Sequence, residues 1–185
     1  MAERWIVTAL GKDRPGIVAG VTKVLYKLGC NLEDSAMTRL EGEFAIMLIF
    51  EAPASITEER LGQTFAPLTR ELKLAIHVKQ LAKSEAARSR KPSTPYIISV
   101  YGADRPGIVF QVSELLAKLK INISDVQTRR ATSEKGRQSS SLYLLLIEIE
   151  LPPQASVTTL EQRLHKLGKS LGVQVSLRVA ETNVL

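Results

Sequence analysis

The chain has 185 residues, of which 44% are apolar, 24% charged and 5% aromatic, and its formal net charge is +6. This composition suits one large or two small domains with aliphatic cores. No run in the sequence approaches the roughly 18 successive apolar residues that a membrane helix needs, so a membrane helix is excluded. The N-terminus lacks the basic-then-apolar order of a signal peptide, and the single cysteine, Cys30, excludes an internal disulfide framework, so we expect a reducing, cytoplasmic setting.

The first half of the chain predicts alternating strands and helices. The β-branched and aromatic run Trp5–Leu10 is typical of a strand. From Pro15, apolar residues recur at helical spacing as far as Gly29, which is expected to end the helix in a left-handed conformation. Proline is expected at the first helical position, because its missing N–H needs no partner there. Two strands, a helix and a closing strand follow at Asn31–Leu40, Phe44–Glu51, Thr57–Leu72 and Leu74–Leu81.

The second half repeats the first. Gly11–Val18 (GKDRPGIV) returns 91 positions later as Gly102–Val109 (GADRPGIV), and Asn31 returns as Asn122. Such a shift indicates a duplicated module. The second copy predicts elements at Tyr96–Tyr101, from Pro106, and at Asn122–Thr132, Leu142–Leu151, Val157–Leu171 and Val173–Val179. Each copy reads β-α-β-β-α-β, an α+β ferredoxin-like module with both helices on one face of an antiparallel sheet.

The seam between the copies is Ala82–Pro95 (AKSEAARSRKPSTP), a small, polar and basic segment without apolar periodicity. It predicts a tether, so the expected organisation is module 1 over 1–81, a basic linker over 82–95 and module 2 over 96–185. Eight extra residues in module 2 belong to a basic loop over 129–138. The positive surplus falls on the linker and this loop, which is more typical of a solvated surface than of a phosphate-binding face.

The repeated Asp-Arg-Pro-Gly corner joins the first strand to the first helix of each module. The N–H groups at a helix N-terminus hold anions, and glycine lets a ligand approach the backbone. We expect these N–H groups to bind a carboxylate, an aspartate to accept from an ammonium group, and an asparagine to complete the site. The candidate ligand-binding residues are Asp13, Gly16, Ile17, Val18 and Asn31 in module 1 and Asp104, Gly107, Ile108, Val109 and Asn122 in module 2.

Ordinary turn chemistry is the competing explanation of the corner. Aspartate, proline and glycine are common at strand-to-helix turns, and Asp13 can simply cap its helix. Arg14 and Arg105 are expected to be exposed or to pair with nearby carboxylates. A nucleotide loop is not expected, because the Gly-x-x-x-x-Gly-Lys pattern is missing.

The sequence offers no pattern typical of an enzyme or a metal site. His77 and His165 have no second histidine or cysteine at ligand spacing. Cys30 follows a helix end with no histidine nearby, so a packed, inert thiol is expected. We therefore expect no catalytic residue, no metal and no cofactor.

The corner and the following asparagine resemble the signature of the ACT domain family, a ferredoxin-like regulatory module that commonly senses amino acids. The strongest resemblance lies in Thr8–Val18, Gly29–Ser35 and Glu43–Ile49. It implies a cytoplasmic regulator that binds a small amino acid such as glycine and contacts a transcriptional activator of the glycine cleavage genes, without binding DNA or membranes. In related modules the ligand lies at the glycine corner and the next strand, usually at an interface between modules, and we expect a homo-oligomer.

Three alternatives stay open. An ACT unit precedes the catalytic part of formyltetrahydrofolate deformylase, so the chain can be a regulatory module associated with an amino-acid or one-carbon enzyme. Direct nucleic-acid binding through Lys83–Lys91 and Arg129–Arg137 predicts salt-dependent retention on DNA. A purely structural pseudo-dimer, in which the two sheets cover each other, also fits the duplication.

Overall fold

A computed structural model describes residues 2–82, 93–133 and 140–180. The chain divides into two compact units, residues 1–89 and 90–185. Most of the predicted linker (83–92) and half of the predicted basic loop (134–138) lie outside the described residues. Each unit has the element order strand, helix, strand, strand, helix, strand.

The first unit is a four-stranded antiparallel sheet with two helices. Its elements in chain order are β1 (Glu3–Lys12), α1 (Ile17–Lys27), β2 (Asn31–Leu40), β3 (Glu43–Ala52), α2 (Glu58–Leu72) and β4 (Ala75–Gln80). The strand order β2-β3-β1-β4 places β3 and β1 at the centre. Glu41 and Gly42 both have positive φ in the two-residue turn between β2 and β3, which is the geometry of a type I′ hairpin.

One face of this sheet and both helices share a single core. Alternate residues of β1 and β3 are buried. They pack against the buried stripe of α1, formed by Ile17, Val21 and Leu25, and against Leu61 and Phe65 of α2. The four-residue spacing in α1 is that of one helix face. Both helices therefore cover the same face of the sheet, as predicted.

The second unit repeats this architecture. Its elements are β5 (Thr94–Ala103), α3 (Ile108–Lys118), β6 (Asn122–Ser133), β7 (Ser140–Leu151), α4 (Val157–Leu171) and β8 (Val173–Val179), with strand order β6-β7-β5-β8. The two units share a register shift near the start of the second strand, at Leu32/Asp34 and at Ile123/Asp125. The predicted fold class, two ferredoxin-like βαββαβ modules, is confirmed.

The element boundaries follow local chemistry closely. Helices α2 and α4 begin after Thr57 and Ser156, whose hydroxyls accept hydrogen bonds from backbone N–H groups three residues later. Gly29 ends α1 with φ of 69°, as predicted. Strands β1 and β5 are longer than predicted, with β5 starting at Thr94, because their polar ends continue the pairing without an apolar pattern to mark them.

Candidate ligand site

The loops before α1 and α3 form the two predicted corners. Gly16 and Gly107 have φ of 95° and 92°, left-handed values that favour glycine. They are the N-cap residues, so α1 and α3 begin directly after them. The prediction that Pro15 and Pro106 occupy the first helical position is therefore wrong, because a left-handed residue separates each proline from its helix.

The first turn of each of these helices has no side-chain cap within the part of the chain that the structure describes. The intrahelical hydrogen bonds begin with the N–H of Gly20, which donates to the Gly16 carbonyl at 2.8 Å, and that of Gln111, which donates to the Gly107 carbonyl at 2.9 Å. The preceding N–H groups have no intrahelical acceptor and lie at the positive end of the helix dipole. Both corners therefore present backbone donors suited to an anionic group.

The residues after each glycine offer a ligand only backbone and apolar surface. Ile17 and Ile108 are buried in their cores, so only their backbone can contact a ligand. Val18 and Val109 are partly exposed and place an apolar side chain beside the first turn. The polar contacts of a ligand here must come from N–H groups and from residues outside this segment.

Asp13 and Asp104 bind arginines. Arg39 Nη1 lies 3.2 Å from Asp13 Oδ2, and Arg130 Nη2 lies 2.8 Å from Asp104 Oδ2. The alternative in which Asp13 caps its helix is therefore wrong. Neither arginine is among the predicted site residues, although the 91-residue shift of the repeat pairs Arg39 with Arg130.

These ion pairs leave the aspartates able to accept another hydrogen bond. Both arginine side chains are 70% exposed, and exposed ion pairs contribute only about 0–1 kcal/mol to stability. The Oδ1 atoms of Asp13 and Asp104 have no hydrogen-bond donor within the described ranges. Each aspartate therefore keeps one carboxylate oxygen that can accept from an ammonium group.

Asn31 and Asn122 lie at the opposite end of their units from the glycine corners. Asn31 opens β2 and pairs with Glu51, which in turn pairs with Arg4 near the start of β1, whereas the corner follows Lys12 at the end of β1. The 11-residue α1 separates these two ends by about 16 Å. Within a single unit the asparagine therefore does not reach the helix tip, because β2 starts where α1 ends.

Each asparagine has surroundings of its own. Asn31 lines a cavity of about 500 Å³ between α1 and the start of β2, together with Thr22, Lys23 and Cys30. Asn122 donates from Nδ2 to the Glu150 carboxylate at 3.3 Å. The cavity beside Asn31 therefore lies at the end of α1, apart from the corner at its start.

The corner glycines differ in how open they are. In the part of the chain that the structure describes, nothing lies within 4 Å of the position that a Cβ on Gly16 would occupy. At Gly107 the Nε2 atom of Gln111 lies 3.6 Å from the corresponding position. The first corner is therefore open to a ligand, and the second carries a side-chain amide beside its glycine.

A tyrosine also distinguishes the second corner. Tyr143 pairs with Arg130 in the sheet, at the place that Phe44 has in the first unit. Burial raises the pKa of the Tyr143 hydroxyl, Asp104 raises it further, and Arg130 lowers it. The second corner thus adds a hydroxyl where the first has only an aromatic ring.

The arginines within the corner motif make different contacts. Arg14 is exposed, as expected. Arg105 donates from Nη1 to the carbonyl of Leu171 at 3.3 Å, at the end of α4. The carbonyl groups at a helix C-terminus are partly negative, which explains why this cation binds there. Arg105 is exposed, as expected, and its partner is a backbone carbonyl rather than a carboxylate.

Cys30 is partly buried against the core of the first unit, and burial raises the pKa of its thiol. The folded chain therefore holds this proton to a higher pH than the unfolded chain. The contribution of this thiol to the free energy of unfolding is complete below the ordinary thiol pKa of about 8.5. It is lost as the pH rises through the pKa of the thiol in the folded chain. We expect the difference in unfolding free energy between wild type and Cys30→Ala, measured with urea, to shrink above this pH. A difference that stays constant from pH 7 to pH 10 would contradict the assignment.

The two histidines and the other potential metal ligands form no site among the described residues. His77 and His165 are both exposed. Across 2–82, 93–133 and 140–180, no three His, Cys, Asp or Glu side chains are placed to hold a metal ion. Within the same ranges, no helix combines the length and apolar character needed to cross a membrane.

Comparison with known proteins matches both units to one family. The sequence profile of the ACT domain matches residues 3–79 and 94–178, one match in each unit. The glycine cleavage system transcriptional repressor of Escherichia coli (strain K12) is 33% identical over 177 residues, covering 94% of this chain and 88% of the relative. This similarity supports the interpretation that the chain is a regulatory protein.

Two solved structures share the fold over almost the full length. A protein of unknown function from Galdieria sulphuraria has a TM-score of 0.78 at 22% identity, covering 98% of this chain and 100% of the other. A structure assigned to a glycine cleavage system transcriptional repressor has a TM-score of 0.72 at 19% identity, covering 98% and 99%. With the two βαββαβ units and their repeated corners, the profile match and the Escherichia coli relative show that the chain belongs to the ACT domain family, with two ACT modules in tandem.

Proposed function

We propose that this chain is an amino-acid-responsive transcriptional regulator that binds glycine and acts by contacting a transcriptional activator of the glycine cleavage genes. The observation that carries the proposal is the repeated corner, in which a left-handed glycine opens a helix N-terminus without a side-chain cap among the described residues. The choice of glycine and of its genes follows from the Escherichia coli relative, a glycine cleavage system transcriptional repressor.

The groups at each corner suit an amino-acid zwitterion. The N–H groups that follow Gly16 can donate to a carboxylate, and the Oδ1 atom of Asp13 can accept from an ammonium group of the same ligand. The side chain of Val18 adds apolar surface beside these groups. The same donors and acceptors recur after Gly107 and at Asp104.

The asparagines can take part only with help from a second module. Asn31 lies about one helix length, roughly 16 Å, from Gly16 in the same unit. A ligand in contact with both groups therefore needs the corner of one module and the asparagine of another, and we propose that a second copy of the chain supplies it. A homo-oligomer is accordingly part of the proposal, and glycine would stabilise the assembly by binding to it preferentially.

Action through a protein partner is favoured over direct DNA binding by the pairing of Arg130. Arg130 lies in β6 and pairs with Asp104, so its charge is partly compensated. A phosphate-binding face needs several uncompensated cations in a row on an ordered element. We therefore assign repression to contact with the activator.

Titration calorimetry of the purified chain tests the proposal. We expect saturable binding of glycine, and weaker binding of acetate and methylammonium, which each carry only one of its two charged groups. Sedimentation in the presence of glycine is expected to show a larger share of oligomer. Absence of both binding heat and a shift in melting temperature with glycine and the other amino acids would overturn the sensor role. Salt-sensitive retention of the chain on DNA would contradict action through a protein partner alone.

A further inference from the structure

The two units differ where their helices meet. In the first unit, Gly20 of α1 faces Leu68 of α2, whose Cδ1 lies 2.7 Å from the position that a Cβ on Gly20 would occupy. The missing side chain lets the leucine fill the space between the helices. The 91-residue shift places Gln111 at this position in α3, so the second unit has a long polar side chain there.

A groove of about 340 Å³ lies between α3 and α4 in the second unit. Leu115 and Leu167 line it and also pack against the core of this unit, so they form an apolar floor. The groove is open to solvent along the helices, and Gln111 lies at one end. An apolar floor of this kind gains free energy when apolar side chains cover it.

The rim of this groove carries positive charge. Arg163 and Lys166 of α4 are exposed and have no ion-pair partner within the described residues. Lys118, by contrast, is matched by Glu114 at 3.0 Å on α3. Two uncompensated cations therefore stand beside the apolar floor.

The corresponding surface of the first unit carries its cations on the other helix. The 91-residue shift places Lys23 and Lys27 of α1 at the positions of Glu114 and Lys118. A shift of 99 residues places Thr64 and Pro67 at the positions of Arg163 and Lys166. The duplication therefore supplies an internal comparison, in which the second helix of the first unit is uncharged at these two positions and the second helix of the second unit is basic.

We propose that the groove between α3 and α4 docks an acidic, amphipathic segment of a partner protein. The apolar side of such a segment would cover Leu115 and Leu167, and its carboxylates would pair with Arg163 and Lys166. A groove between two helices suits an amphipathic helix that presents apolar residues at helical spacing. The apolar floor favours this occupant over a nucleic-acid backbone, which brings charge without apolar side chains. This inference rests on the proposed function, for which it names the contact surface.

Fluorescence anisotropy of the full chain with a labelled peptide tests the inference. The probe is a synthetic amphipathic peptide with leucines on one face and glutamates on the other, compared with a twin that has lysines in place of the glutamates. We expect the glutamate peptide to bind, and the Arg163→Glu/Lys166→Glu variant to bind it at least about tenfold more weakly. Arg60→Glu/Arg70→Glu on α2 is the matched control, since both arginines are exposed, the net charge changes equally, and the affinity is expected to stay within about twofold.

Several outcomes would overturn the inference. The first is equal binding of the two peptides, and the second is equal binding by wild type and the Arg163→Glu/Lys166→Glu variant. The others are an equal loss in the Arg60→Glu/Arg70→Glu control and tighter binding of a single-stranded oligonucleotide at the same residues. Glycine calorimetry on the same proteins separates this inference from the proposed function. A variant that loses the peptide but keeps glycine binding supports the groove, whereas a wild type that binds the peptide but not glycine contradicts only the sensor.

Discussion

Replacement of Phe50 by alanine is expected to destabilise the first unit by about 3–5 kcal/mol. Phe50 is fully buried in β3, where it lies between Trp5 of β1 and Leu32 of β2 in the sheet register. Truncation removes a large apolar surface from a close-packed core and leaves a cavity that its neighbours fill only in part. This is the largest single-residue effect on stability that we expect in this unit.

Urea denaturation followed by tryptophan fluorescence measures this effect. Trp5 is the only tryptophan of the chain and lies opposite Phe50, so its emission reports the first unit. Met47→Ala is the matched control, because Met47 lies in the same strand but is 50% exposed on the other face of the sheet. Its expected cost is under about 1 kcal/mol. Equal costs for the two variants would contradict the assignment of the core to the helix-covered face.

The second large effect concerns the corner. Gly16→Ala is expected to weaken glycine binding at the first corner at least about tenfold, which corresponds to about 1.4 kcal/mol. The left-handed φ of 95° strains any residue with a Cβ by about 1–2 kcal/mol, and relief of that strain would turn the backbone donors away from the ligand. Because Gly107→Ala makes the same change at the second corner, the two variants report the two corners separately.

Gly29→Ala is the control for backbone strain. Gly29 also has positive φ, but it lies at the other end of α1, where only Pro53 approaches the position of its Cβ within the described residues, at 3.9 Å. The Gly29→Ala variant should have a lower melting temperature, as Gly16→Ala does. Its calorimetric affinity for glycine should stay within about twofold of wild type. If Gly16→Ala and Gly29→Ala both lose glycine binding, the loss follows from the lower stability of the first unit. If these two variants and Gly107→Ala all bind glycine as wild type does, the ligand binds elsewhere.

The secondary structure of this protein could be predicted because its signals are local. The four-residue spacing of Ile17, Val21 and Leu25 follows from the geometry of a helix, and the alternation along β3 follows from that of a strand. The left-handed ending at Gly29 also depends only on neighbouring residues. The start of α1 was harder to predict, because Pro15 and Gly16 both suit a helix start and only the backbone conformation distinguishes them.

The repeat in the sequence determined the duplicated architecture, the candidate corners and the pairing of equivalent residues in the two units. Tertiary structure alone decided which of these residues meet. Arg39 reaches Asp13 because the β2–β3 hairpin returns to the end of β1, and Asn31 lies far from Gly16 because α1 stands between them. The groove beside Gln111 likewise depends on how two helices pack on one sheet. Spacing along the chain specifies turns and faces, but contacts between distant residues depend on strand register and helix packing, which become definite only when the whole sheet forms.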